Sequence, residues 1–226
     1  MKKIVVLSGA GISAESGLKT FRDDNGLWEG HNVMEVASPI AWENNRELVL
    51  EFYNQRRRQL LEVEPNAAHR ALVALEEKYE VQIITQNVDD LHERAGSSNV
   101  LHLHGELLKA RSTFDENLVM DWRNDIKSGD FCEHHMQLRP HIVWFGEAVP
   151  MFQPAAEHCA MADVLIIVGT SMQVYPAAGL VDFVPQGCPM YFIDPKPNIR
   201  EHSSLHIISK KAAEGVPQVV ERLLSQ

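Results

Sequence analysis

Directly after the apolar run Ile4-Val5-Val6-Leu7 stands Gly9-Ala10-Gly11-Ile12-Ser13-Ala14, the order of small residues that a pyrophosphate loop requires. In the G-x-G-x-x-G/A pattern the first glycine makes a tight turn and the second lets the backbone approach a pyrophosphate. The small third residue lets a helix pack on its strand, with its N-terminal N–H groups facing the anion. Gly9, Gly11 and Ala14 fill those three places. Alone, the six residues also suit a glycine turn in an α/β protein that binds no dinucleotide. Two further polar clusters follow apolar runs in the same way: Gln86-Asn87-Val88-Asp89-Asp90 after Val81 to Thr85, and Gly169-Thr170-Ser171 after Val164 to Val168. The N-x-D spacing also fits an Asx turn or a cap, with Asp89 or Asp90 capping the helix that follows. His102 and His104 sit two apart, so on a strand they point to opposite faces. An imidazole, with an ordinary pKa of about 6.5, exchanges protons near neutral pH and can serve as a general base.

A dehydrogenase built on such a loop needs Asp or Glu at the end of a second strand about 20 residues on, to hold the adenosine ribose. The chain instead reads Thr20-Phe21-Arg22-Asp23-Asp24-Asn25-Gly26-Leu27-Trp28, a polar loop with an arginine and two aromatics. Hydride transfer loses ground on that account.

The elements that must position these residues are short, β-branched, apolar runs: Ile4 to Leu7, Val81 to Thr85, Val100 to Leu103, His141 to Phe145, Val164 to Val168 and Met190 to Ile193. Most have the composition of strands buried on both faces. Helical patterns lie between them: Asn66 to Tyr79 with Asn66 as cap, Pro154 to Ala162, and about Val216 to Leu224. The alternation predicts an α/β fold with a largely parallel sheet. Two stretches break it. Gly30 to Glu64 reads as mostly helical, with a long charged helix from Arg46 to Leu61, and Lys109 to Leu138 is polar and weakly patterned.

With 226 residues, 45% hydrophobic and 23% charged, the chain has ordinary globular composition. No apolar run approaches the ~20 residues of a membrane span, and MKKIVVLSGAG reads as a buried first strand rather than a leader. A net charge of -10 argues against nucleic acid as a partner and is compatible with a basic peptide. Three widely spaced cysteines, Cys132, Cys159 and Cys188, make no disulfide framework and point to a reducing cytoplasm.

The run GAGISAESGLKTFRDDNGLW resembles the opening of the sirtuin family, with its GAGxS, SGxxxFR and GxW elements. Thr85-Gln86-Asn87-Val88-Asp89-Asp90-Leu91-His92, His102-Leu103-His104-Gly105 and Gly169-Thr170-Ser171 match further family blocks in order. The resemblance covers nearly the whole chain. It implies one catalytic domain over 1–226, with a Rossmann-like large lobe of about 1–30, 65–108 and 139–226. The small lobe, about 31–64 and 109–138, has a helical part and a degenerate zinc-module part. It also implies a monomer that consumes NAD and removes acyl groups from protein lysines, releasing nicotinamide and O-acyl-ADP-ribose. The alternative within the same resemblance is protein mono-ADP-ribosylation.

By the same resemblance His104 is the general base on a ribose hydroxyl, and Asn87 and Asp89 lie against nicotinamide and its ribose. Gln86, Gly169, Thr170, Ser171 and Asp194 hold the ribose and adenosine side. Gly9, Ala10, Gly11, Ser13, Glu15, Thr20, Phe21, Arg22, Trp28 and Ala212 complete the NAD contacts. His102 is expected to be structural. Val143-Trp144-Phe145-Gly146-Glu147 resembles the family's substrate strand, which pairs with an extended peptide.

Tyr53 and Arg56 stand three apart and share one face of a helix. The YxxR pair resembles the signature of family members that remove succinyl and malonyl groups, where a guanidinium takes the distal carboxylate. The neighbouring Arg57 and Arg58 suggest instead a solvated face. One family feature is missing. Ser112 stands where a first zinc cysteine is expected, and only Cys132, with His134 and His135 nearby, follows. A structural zinc wants four well-placed ligands, so a metal-free lobe is expected, packed on Leu118, Trp122, Ile126 and Phe131, while Cys159 and Cys188 read as small buried apolar residues.

Overall fold

The computed structural model describes residues 1–19, 27–28, 31–172, 174–197, 199, 201 and 203–226, with positions 27 and 28 given by their backbone alone. The chain runs through strand β1 (Lys3–Ser8), the short pair β2 (Leu27–Trp28) and β3 (His31–Asn32), and helices α1 (Val33–Val36), α2 (Pro39–Asn44), α3 (Arg46–Glu62) and α4 (Ala67–Ala74). Then come β4 (Glu80–Thr85), α5 (Leu91–Ala95), β5 (Val100–His102), β6 (Gly105–Ser112), β7 (Val119–Asp121) and β8 (Leu138–Ile142). The last third contains α6 (Phe152–Ala160), β9 (Val164–Val168), β10 (Met190–Ile193), β11 (Leu205–Ile208) and α7 (Ala212–Leu224).

Six strands form one parallel sheet in the order β11-β10-β9-β1-β4-β5. This is the expected α/β, Rossmann-like architecture. The chain leaves β1 toward β4 on one side and later returns to β9 on the other. Such a switch point opens a crevice at the carboxyl ends of the strands. Every residue of β1 and β9 is buried, because helices cover both faces. Ile4 and Val6 pack under α4 and α7, while Val5 and Leu7 meet α6 and the 3₁₀ turn Ala177–Phe183. Each such side chain contributes roughly 1.5–3 kcal/mol relative to exposure. Asn66 caps α4 as expected, its Oδ1 accepting from the N–H of Ala68 while its own N–H donates to His69 Nδ1.

A second core lies between α1–α3 and the antiparallel sheet β7-β6-β8. Ser38 caps α2 ahead of Pro39, and Asn45 caps α3. The buried side of α3 carries Val49, Phe52, Tyr53 and Leu60. It also carries Arg57, whose neighbours in sequence suggested a solvated run. Arg57 is wholly buried: Nε donates to the Leu107 carbonyl at 3.0 Å and Nη1 to Asn54 Oδ1 at 2.8 Å. Burial pulls its pKa down to about 10.

Several local expectations are corrected. The stretch 109–138 contains strand β7 and the second half of β6, where alternate residues Ala110 and Ser112 are buried between less buried neighbours. The strand expected at His141 to Phe145 is β8, which starts at Leu138, ends at Ile142 and pairs antiparallel with β6. Strand β11 was not legible, since Leu205-His206-Ile207-Ile208 is an edge strand with mixed composition. Phe131 is 57% exposed and leaves the small-lobe core to Leu107, Ile126, Cys132 and Leu138.

Candidate active site

The glycine loop departs from the dinucleotide pattern it matches. After β1 come two 3₁₀ turns, Ala10–Ile12 and Ala14–Ser16, rather than a helix. The N–H of Gly9 donates to the Val168 carbonyl at 3.0 Å and that of Gly11 to the Gly169 carbonyl at 2.8 Å. Both donors are therefore engaged by the end of β9, not aimed at an anion. A Cβ on Gly11 would stand 2.7 Å from the Gly169 Cα, and one on Gly169 only 2.3 Å from the Ile12 nitrogen. Gly169 also has a φ of +66°, in the left-handed region. These glycines are required by the close approach of two backbone loops.

Ser13 ties this loop to the end of β4. Asn87 Nδ2 donates to Ser13 Oγ at 3.1 Å, and that hydroxyl donates to Asp89 Oδ2 at 2.9 Å. Asp89 Oδ1 accepts from the N–H of Leu91, the first residue of α5, in an Asx turn one residue ahead of the helix's N-cap, Asp90. Burial raises the Asp89 carboxyl pKa against the opposing pull of Ser13 and the Leu91 N–H. Behind it, Thr85 Oγ1 accepts from Ser8 Oγ and from the N–H of Asn87. Ser8 Oγ also meets His92 Nε2 at 2.9 Å. Ser8 was not singled out from the sequence, and Thr85 and the fully buried His92 stood in a matched block without an assigned role. As strand-end hydroxyls and a helix histidine they offered no signal of their own.

His102 ends β5, and His104 lies in the bend before β6. His104 Nδ1 lies 3.1 Å from the Gln86 carbonyl. A carbonyl only accepts, so Nδ1 carries the proton and Nε2 holds the lone pair. Burial lowers the His104 pKa against the opposing effect of that hydrogen bond, so the ring is neutral at pH 7. His102 makes two contacts, to the Asn87 carbonyl and to Glu93.

On the other side of β1, Gln86 Nε2 donates to Thr170 Oγ1 at 3.1 Å, and the same hydroxyl accepts from the N–H of Met172. Ser171 is half-buried beside it. Asp194, buried at the end of β10, accepts from the N–H of Lys196. Glu15 accepts from the N–H of Ala213 at 2.8 Å, its carboxylate lying at the N-terminus of α7 next to the buried Ala212. Thus Gln86, Asn87, His104, Gly169, Thr170, Ser171 and Asp194 follow the carboxyl ends of β10, β9, β4 and β5, on both sides of β1. Thr20, Phe21, Arg22 and the side chain of Trp28 lie outside the described residues.

Tyr53 is fully buried on α3, and its hydroxyl accepts from Trp144 Nε1 at 3.1 Å. Arg56, one turn on, is half-buried, with its guanidinium 5.8 Å from the Phe52 ring. Trp144 is held by the Arg139 guanidinium, 3.3 Å from its ring centre, and by Trp42. Arg139 also binds Glu147 at 2.7 and 3.1 Å, and Glu147 in turn accepts from the N–H of Trp144. The segment Val143 to Gly146 is therefore a braced turn rather than a strand. The N–H of Val143 goes to the His104 carbonyl, that of Phe145 to the Ala37 carbonyl, and that of Glu147 to the Trp144 carbonyl.

In the small lobe, Ser112 Oγ contacts Cys132 Sγ at 3.2 Å and accepts from the N–H groups of Phe114 and Asp115. His134 is half-exposed, with its ring 5.8 Å from that of Phe114. One thiol and one hydroxyl already engaged by backbone do not fit a structural zinc, and among the described residues no group of three or more His, Cys, Asp or Glu could hold a metal ion. Cys159 and Cys188 are free, buried thiols in other segments, as expected.

Comparison with known proteins bears on this arrangement. A protein named NAD-dependent protein deacylase from Helicobacter pylori is 56% identical over 225 residues, covering 99% of this chain and 98% of that protein. Among solved structures, a Sir2 homolog–NAD complex superposes with a TM-score of 0.89 at 38% identity, covering 99% of this chain and 90% of that one. A Sir2 variant with a deacetylated p53 peptide and 3'-O-acetyl ADP ribose superposes at 0.80 and 28% identity, covering 98% and 93%. The model of the Sir2 family matches residues 9–176. With its parallel sheet, its glycine loop and its histidine edge, this chain belongs to the Sir2 family.

Proposed function

We propose that this chain is an NAD-dependent protein lysine deacylase. The observation that carries the reading is His104, neutral and with its Nε2 lone pair unprotonated, at the same sheet edge as the Asn87–Ser13–Asp89 network. Bound NAD supplies the anomeric carbon that accepts the acyl oxygen as nicotinamide departs. Asn87 and Asp89 orient the nicotinamide end, with Ser13 fixing both side chains. His104 Nε2 takes a proton from a ribose hydroxyl, which its lowered pKa permits at neutral pH. Gln86, Gly169, Thr170, Ser171 and Asp194 hold the rest of the dinucleotide. The H. pylori relative's name and the NAD and peptide complexes among the structural neighbours support this reading.

The acyl group is proposed to be acidic, succinyl or malonyl, as well as acetyl. Arg56 is half-buried one helical turn from the buried phenol of Tyr53, and a guanidinium there matches a distal carboxylate. Three free thiols accord with a cytoplasmic setting. Protein mono-ADP-ribosylation leaves the Tyr53–Arg56 pair without purpose. Incubating the protein with NAD and matched acetyl-lysine and succinyl-lysine peptides tests the reading. Acyl-ADP-ribose is expected from both, faster from succinyl, and its absence with both overturns the proposal.

A further inference from the structure

Both ring nitrogens of His102 face atoms that only accept. Nδ1 lies 3.0 Å from the Asn87 carbonyl and Nε2 lies 2.7 Å from Glu93 Oε1. Each contact needs an N–H on the histidine, so the ring is an imidazolium. The parallel register sets His102 opposite Thr85, which lets its ring reach the first residues beyond β4. The side chain is 8% exposed. The carbonyls of Gln86 and Asn87, neighbours in the turn, are thus each taken by the Nδ1 of a different histidine.

Resting on the deacylase reading, we propose that His102 is a positioning residue: braced by Glu93, it anchors the Asn87 carbonyl and so fixes the Asn87 amide and the Asp89 carboxylate against Ser13. The titratable and charged neighbours agree. Burial opposes charge on His102, but Glu93, the Asn87 carbonyl and Glu106 on β6 together raise its pKa. Lys109 pairs with Glu106 and helps hold the Glu93 pKa down. On Asp89, His102 counters burial, and on the neutral His92 it opposes protonation.

The test separates two halves of the ring. In His102→Asn the side-chain amide nitrogen stands where Nδ1 was and restores the bond to Asn87. In His102→Gln it reaches only toward Glu93. Expected kcat is within about threefold of the native chain for H102N and lower by roughly tenfold for H102Q, with KM for the acyl peptide unchanged in both. Both variants lack the cation beside Asp89, so its carboxyl pKa rises. Equal kcat for H102N and H102Q overturns the proposal. The Glu93 side chain is 40% exposed, so E93Q keeps the fold and gives a second readout. In protein with ¹⁵N-labelled histidine the His102 imidazolium signal at pH 7 should be present in the native chain and lost in E93Q, and its absence from the native chain overturns the assignment. A native chain that shows this signal but releases no acyl-ADP-ribose defeats the deacylase reading while leaving the two bonds of His102 established.

Discussion

Tyr53 Oη accepts from Trp144 Nε1 at 3.1 Å, joining the helix that carries Arg56 to the turn proposed to meet the peptide. The acyl group and the peptide backbone would thus be read by residues braced against each other. Arg56→Met removes the charged partner of an acidic acyl group, and a charge-assisted hydrogen bond contributes about 1.5–3 kcal/mol. Desuccinylation should fall roughly 10- to 100-fold in kcat/KM, with deacetylation little changed. Steady-state kinetics on the two peptides check this, and equal losses would remove Arg56 from the pocket.

His104→Tyr should abolish turnover to acyl-ADP-ribose while NAD binding stays measurable by calorimetry. Burial lowers the His104 pKa, so in the native chain the base form prevails at neutral pH. On the acid side, kcat/KM should hold at pH 7 and decline only below the ordinary histidine pKa, of about 6.5. A decline already complete at pH 7 would contradict the neutral, Nδ1-protonated ring.

Two histidines behind the site set the acid stability. The rings of His69 and His92 meet edge to face at 4.9 Å, both fully buried. Burial pulls the His69 pKa down to about 4 and that of His92 well below its usual value. The unfolded chain takes up these protons first. Their contribution is therefore present above about pH 6.5 and is lost as pH falls toward 4. The loss from His69 alone amounts to roughly 3 kcal/mol once its protonation in the unfolded chain is complete. Urea denaturation across this range should show a steep decline that His69→Gln flattens.

The small lobe should not need metal. Ser112 and Cys132 bond to each other and to backbone, so the melting temperature should be the same with and without a strong chelator. A fall of several degrees, with zinc found in the purified protein, would show that other ligands complete a site.

Much of the sheet was legible because buried parallel strands are written as unbroken apolar runs, as in β1 and β9. The site was legible wherever polar residues follow such a run, as at Gln86 to Asp89 and Gly169 to Ser171. Three things were not. The glycine loop was taken for a phosphate cradle with a helix behind it, because local spacing does not say which backbone a glycine approaches. The burial of Arg57, whose neighbours suggested a solvated face, was not legible because its backbone acceptor, the Leu107 carbonyl, comes near only through folding. The link from Ser8 through Thr85 to Asn87 runs between adjacent strands and leaves no mark in either one alone.

The contact of Gly11 with Gly169 also has a consequence for the order of synthesis. The shape of the first loop is held by the end of β9, more than 150 residues further along the chain. A ribosome that has delivered the first two thirds of the protein has exposed Asn87, Asp89 and His104 but not the wall that closes the crevice beside them. The nascent chain is therefore expected to be inert toward its dinucleotide until β9 has emerged and docked beside β1.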